Sequence, residues 1–142
     1  LYTHAQNQLT AGLQKWVFDS VSQSWRRAYT LRNNLLIGKP YTVFGYPTGT
    51  NMATQLPWSP ATDGLRNITG QLLAGGKVKI FAITSTVSGN GDPGADPNKL
   101  VSIVDDLANT DQTIGWQESF VEVRHAQFGE VLRGVSLTPG TN

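Results

Sequence analysis

Apolar and polar residues alternate along this chain in short runs, and the dominant period is two, the period of a strand. In residues 12–19, Leu13 and Lys15 alternate against Trp16 and Phe18. The pattern predicts strands over residues 1–5, 12–19, 25–31, 65–72, 78–85, 99–105, 120–125 and 132–137. The nearest thing to a helical run is 99–107. Its Val101, Ile103 and Val104 are β-branched, and Asp96-Pro97-Asn98 and Ala108-Asn109-Thr110 bound it, so it too reads as a strand. Ser20-Val21-Ser22-Gln23-Ser24 and Ala74-Gly75-Gly76-Lys77 are compact turns, the second supplied with positive φ by glycine. Residues 33–64 show no period and are rich in Gly, Pro, Thr and aromatics.

Two of these segments repeat. Gly64-Leu65-Arg66-Asn67-Ile68-Thr69 and Val131-Leu132-Arg133-Gly134-Val135-Ser136 share the order Leu, Arg, small or polar, β-branched, hydroxyl. The strands preceding each copy also correspond. Ile80-Phe81-Ala82-Ile83-Thr84 takes the place of Leu1-Tyr2-Thr3-His4-Ala5, and the run ending at Asp105 takes the place of the run ending at Asp19. With the four strands of one unit labelled A to D, the chain reads B-C-D, A-B-C-D, A. Tandem four-stranded antiparallel meanders are the mark of propeller blades. The expected fold is therefore all-β, a β-propeller fragment of about two blades. Residues 1–32 would form strands B-C-D of one blade, 33–64 a long loop, 65–126 a full blade and 127–142 strand A of the next. A single β-sandwich or barrel is the competing architecture, and the recurring strand order favours the blades.

Composition narrows the function. The 142 residues contain no Cys, which removes disulfides, thiolate metal sites and cysteine nucleophiles. Eleven Lys and Arg against ten Asp and Glu leave a formal charge of +1 with no basic run, so no nucleic-acid partner is expected. No apolar stretch approaches the roughly 20 residues of a membrane-spanning helix. Leu1-Tyr2-Thr3 reads as the middle of a strand, which places the expected natural N-terminus upstream.

The run Pro57-Trp58-Ser59-Pro60-Ala61-Thr62-Asp63-Gly64-Leu65-Arg66-Asn67-Ile68-Thr69 resembles stretches of large, poorly characterised multi-blade β-propeller proteins. So do Ser85 to Asp92, Asp96-Pro97-Asn98-Lys99-Leu100 and Gly129-Glu130-Val131-Leu132-Arg133-Gly134-Val135-Ser136. The resemblance covers most of the chain and suggests the C-terminal part of such a protein. It implies further blades and export, hence a secreted or extracellular location, and no assigned activity.

Connections in an antiparallel meander alternate between the two ends of the strands. Residues 33–64 and 86–98, the two longest connections, therefore belong on one face. A connection of some 30 residues tends to be functional or disordered, and Tyr41, Phe44, Tyr46 and Trp58 argue for a packed loop. Loops on a rigid scaffold concentrate binding residues. Tyr46 and the loop tryptophans Trp58 and Trp116 are candidates to stack on sugars, whereas Trp16 and Trp25 fit blade packing. Arg66 and Arg133, at equivalent positions of strand A, suit an anion or sugar-acid site at a channel mouth. Internal ion pairs, Asp63 with Arg66 and Glu130 with Arg133, are the structural alternative and the favoured one, because buried charges need partners. Asp92, Asp96 and Asn98 put carboxylate and amide oxygens on one turn-rich loop, the donor type calcium takes, without EF-hand spacing. A plain turn is the simpler reading, and no other cofactor is expected. His4 and His125, the two histidines, stand on different strands, and no catalytic triad or metal-ligand spacing is present.

The leading expectation is a non-catalytic ligand-binding or interaction scaffold whose loop face takes a carbohydrate. The alternatives are a propeller hydrolase or lyase with a metal-dependent site, and a structural self-assembling segment. Partners would be the other blades of a larger parent, or identical copies that donate strand A head to tail.

Overall fold

The computed structural model describes residues 11–92 and 95–140; the predicted strand over residues 1–5, and His4 with it, lie outside them. The described chain is mostly β and entirely antiparallel. Strands β1 (Leu13–Asp19) and β2 (Ser24–Leu31) form a hairpin. Asp19 closes its turn by accepting the backbone N–H of Val21 at 2.9 Å. Strands β3 (Thr50–Asn51) and β4 (Leu56–Pro57) form a miniature hairpin inside the long connection. Strands β5 (Ala61–Leu73), β6 (Lys77–Val87), β7 (Lys99–Asp106) and β8 (Val121–His125) form a four-stranded meander in sequence order. Gly75 and Gly76, at φ of 74° and 72°, make the β5–β6 turn where the sequence placed it. A single helical turn, α1 (Gln112–Gly115), sits between β7 and β8, capped by Asp111.

Strand β5 is the irregular member. Its pairing to β6 slips at Asp63 and again at Asn67, where φ is 49°. Each extra residue is a bulge that bends the strand and sharpens its twist. This lets a strand of 13 residues start in contact with the long connection and end at the far turn.

One core joins the hairpin to the meander. Alternation aims Leu13, Tyr29 and Leu31 inward, onto Ala82, Val101 and Ile103 of β6 and β7. Leu35 and Phe120 fill the space between. The opposite face of the hairpin carries Trp16, Phe18 and Trp25, all exposed, with the Phe18 and Trp25 rings edge to face at 5.6 Å.

Three expectations are corrected. Residues 132–137 form no strand, because Leu132 spends both its backbone groups on the Asn98 amide and not on a neighbouring ladder. Glu130 faces Arg124 at 3.5 Å and accepts the Gln127 N–H, so it does not pair with Arg133. The first strand of the meander begins at Ala61, four residues earlier than the alternation suggested, because Asp63 is bulged out of the ladder and breaks the period there. No helix among the described residues is long and apolar enough to cross a membrane.

Candidate functional site

The two longest connections meet at one end of the meander. The β3–β4 hairpin presses on Gly89, which follows β6: Asn51 Nδ2 and Thr54 Oγ1 donate to the Gly89 carbonyl at 2.5 and 2.9 Å, and the Gly89 N–H donates to Pro57 at 2.6 Å. Only glycine fits here, since a Cβ would lie 2.9 Å from the Leu56 carbonyl oxygen and 3.0 Å from the Asn51 Cβ. Further along, the Tyr41 hydroxyl donates to the Pro97 carbonyl at 2.6 Å.

Asp96 is the hub of this face. It is fully buried, and its Oδ1 accepts from the Tyr46 hydroxyl at 2.5 Å, from the Ser88 hydroxyl at 2.8 Å and from the Asn90 amide. Its Oδ2 is buried with no hydrogen-bond partner. Burial, and then the Asp96 carboxylate, push the Tyr46 phenol above its ordinary range. One carboxylate thus ties residue 46 of the first loop to residues 88 and 90 of the second.

Around the hub the surface is aromatic. Phe128 packs edge to face on Tyr46 at 5.9 Å while remaining 60% exposed, and Gly45 lies against its ring. Phe44, in the same turn, is 94% exposed. Asn90 and Asp92 are also exposed, and Asn90 Oδ1 accepts the Asp92 N–H at 2.7 Å in an Asx turn. Beside them Lys99 stands over the Tyr41 ring at 4.5 Å and pairs with Glu122 at 2.9 Å, with His125 Nδ1 3.4 Å from the same carboxylate. Burial opposes the charge on Glu122, but Lys99 and His125 prevail and hold it below the usual carboxylate range.

The sequence-derived candidates separate into groups. Tyr46 and Asp96 are brought together. Asp92 is on the same loop but exposed. Asn98 is buried, and its amide is fully engaged: Nδ2 donates to the Thr84 and Leu132 carbonyls at 3.0 Å, and Oδ1 accepts the Leu132 N–H at 2.7 Å. Among the described residues, no group of three or more His, Asp or Glu is placed to hold a metal ion. Trp58 is half-buried just after β4. Arg66 is half-buried on β5, beyond Asp63, whose carboxylate accepts the Ser85 hydroxyl; Arg133 is exposed. Trp116 is exposed at the C-terminus of α1, in the β7–β8 connection. That connection begins beside the β5–β6 turn, where Leu107 N–H meets the Gly76 carbonyl, so Trp116 belongs to the opposite end of the sheet.

A second polar cluster, which sequence reasoning missed, lies at that opposite end between the hairpin and β7. Lys15 Nζ is 3.0 Å from Asp105 Oδ2 and from the Tyr29 hydroxyl, and 2.5 Å from the Asp106 carbonyl. Tyr29 donates to Asp105 Oδ1 at 2.5 Å. Glu118 adjoins them, and burial together with the Asp105 carboxylate pushes its carboxyl up to about 7. A polar residue on the inward face of each apolar strand, Lys15 and Asp105, is the one signal the sequence offers for it. An open recess of about 270 Å³ lies on the outer side of β7, lined by Lys79, Ser102, Val104, Ser119 and Val121.

No protein-family model, curated protein or solved structure matches this chain.

Proposed function

We propose that this chain is a non-catalytic interaction scaffold, part of a β-propeller, and that its ligand surface is the loop face around Tyr46, Phe44 and Phe128. The observation that carries this reading is the Asp96 hub. A buried carboxylate with three donors fixes two long connections to one another, and Phe128 packs edge to face on Tyr46, one of the residues so tied. Exposed aromatics of this kind are not needed for the core, and pre-organised rings lose little entropy when they bind. Their faces, next to the exposed Asn90 amide and Asp92 carboxylate, suit a carbohydrate: C–H faces stack on rings while hydroxyls meet polar groups.

A glycan screen with the purified chain tests this, followed by titration of any hit against Phe128→Ala and Phe44→Ala. Binding should weaken at least tenfold in one or both variants while thermal stability holds, since both rings are mostly solvent-facing. A hit whose affinity neither variant changes, or a screen with no hit, would sink the reading.

A structural, self-assembling role is the second reading, and the hairpin favours it. A two-stranded ribbon is marginal by itself. This one buries a single face and leaves Trp16 50% and Trp25 65% exposed on the other. In a propeller both faces of every blade are covered by neighbours. The exposed face is therefore where a further blade, from a longer parent or a second copy, would stack.

A further inference from the structure

We propose that Lys15 and Asp105 react with each other, so that a side-chain amide bond pins the β1–β2 hairpin to the four-stranded sheet. Lys15 is on β1 and Asp105 on β7. Their side chains meet in the seam between hairpin and sheet, Nζ 3.0 Å from Oδ2, and are only 13% and 6% exposed. A buried ion pair carries a desolvation cost, because both charges have lost their water. Joining the two groups as an uncharged amide removes that cost.

The hydrogen bonds sort the atoms into roles. An ammonium has three N–H donors. Acceptors stand ready for all three: Asp105 Oδ2, the Tyr29 hydroxyl at 3.0 Å and the Asp106 carbonyl at 2.5 Å. The proton that faces Asp105 is the one that can move. Its transfer to Oδ2 turns the ion pair into an amine and a carboxylic acid, and the lone pair left on Nζ faces the carboxyl group. Tyr29, on β2, serves the other oxygen. Its hydroxyl donates to Asp105 Oδ1 at 2.5 Å. Negative charge gathers on Oδ1 as the amine adds to Cγ, and a donor preset at that position stabilises it.

The step balances without a further reagent. The Nζ lone pair forms a bond to Cγ, and the C=O electron pair shifts to Oδ1. A second Nζ proton passes to Oδ2, the Cγ–Oδ2 bond breaks, and one water leaves. Ammonium and carboxylate have become amide and water. Free in solution the reverse reaction wins. Groups held in contact, however, react with effective concentrations that reach about 10⁵–10⁸ M, and burial shields the Asp105 carboxyl from returning water. The consequence falls on the hairpin. A two-stranded ribbon is marginal by itself, and the bond would make this one inseparable from the sheet.

The test is the intact mass of the full chain, folded at neutral pH and then denatured in acid. It should fall short of the sequence mass by one water. Tryptic digestion should give a branched peptide that joins the segment around Lys15 to the segment around Asp105, with no cleavage after Lys15. Lys15→Arg keeps the positive charge but replaces the amine with a guanidinium that stays protonated, so this variant should show its full sequence mass. A full sequence mass in the unaltered chain would overturn the proposal and leave an ion pair only. So would a missing water that persists in Lys15→Arg or maps to other residues. The peptide map is made on the unaltered chain and decides the question even if the variant fails to fold.

Discussion

Replacing Asp96 with alanine is the sharpest probe of the loop face. The substitution removes the acceptor of three hydrogen bonds and strands the buried Ser88 hydroxyl against a new void. Hydrogen bonds to a charged group contribute about 1.5–3 kcal/mol each net, so three represent roughly 5–9 kcal/mol. Two corrections reduce that sum. Tyr46 and Asn90 lie near the surface and can turn to water. The buried carboxylate also carries a desolvation cost, made larger by the bare Oδ2, and that cost disappears with it. A loss of about 3–4 kcal/mol remains, a large part of the roughly 5–15 kcal/mol that stabilises a domain.

Because the hub joins connections and not core strands, the damage should be local before it is global. Hydrogen exchange is the matching assay. The Gly89 N–H, now bonded to Pro57 at 2.6 Å, should lose protection in Asp96→Ala, while the Ala82 and Val101 amides in the core keep theirs. The Tyr46 phenol should titrate lower, since the carboxylate that helps raise it is gone. Unchanged Gly89 protection together with a stability loss under 1 kcal/mol would refute the claim that this carboxylate organises the face.

Two further outcomes are expected. Gly89→Ala would drive a Cβ into the Leu56 carbonyl at 2.9 Å, so the β3–β4 hairpin should lift away, costing about 2–3 kcal/mol by urea denaturation; a silent substitution would mean that contact is loose. Under the self-assembling reading, Trp16→Glu on the outer face of the hairpin should leave the chain's fold intact and abolish self-association in sedimentation experiments; association that survives it would remove that face from the proposed interface.

Local chemistry made the strands legible, and distance hid what joins them. Alternation of Leu13 and Lys15 with Trp16 and Phe18, and the Gly75-Gly76 turn, are properties of adjacent residues, and the hairpin and the meander were both readable from them. The segment around Leu132 fooled the same logic. It has a strand's composition, but a strand requires a partner backbone, and here the Asn98 side chain stands in for one. Asp96 read as a turn acid or a calcium donor because its hydrogen-bond partner Tyr46 is 50 residues away. The Lys15, Tyr29, Asp105 and Glu118 cluster was invisible for the same reason, with Tyr29 and Asp105 separated by 76 positions.

The two polar hubs explain how a chain with so slight a hydrophobic core holds its parts in register. Each sits at one end of the meander, and each uses a single buried aspartate to tie together segments distant in sequence. Asp96 joins loop to loop and Asp105 joins hairpin to sheet. Their chemistry differs in one respect that matters. Asp96 is met by neutral donors alone, so its network does not depend on the ionisation of a neighbouring acid. Asp105 is met by the Lys15 ammonium as well as by the Tyr29 hydroxyl, so its network contains an ion pair that the Asp96 network lacks.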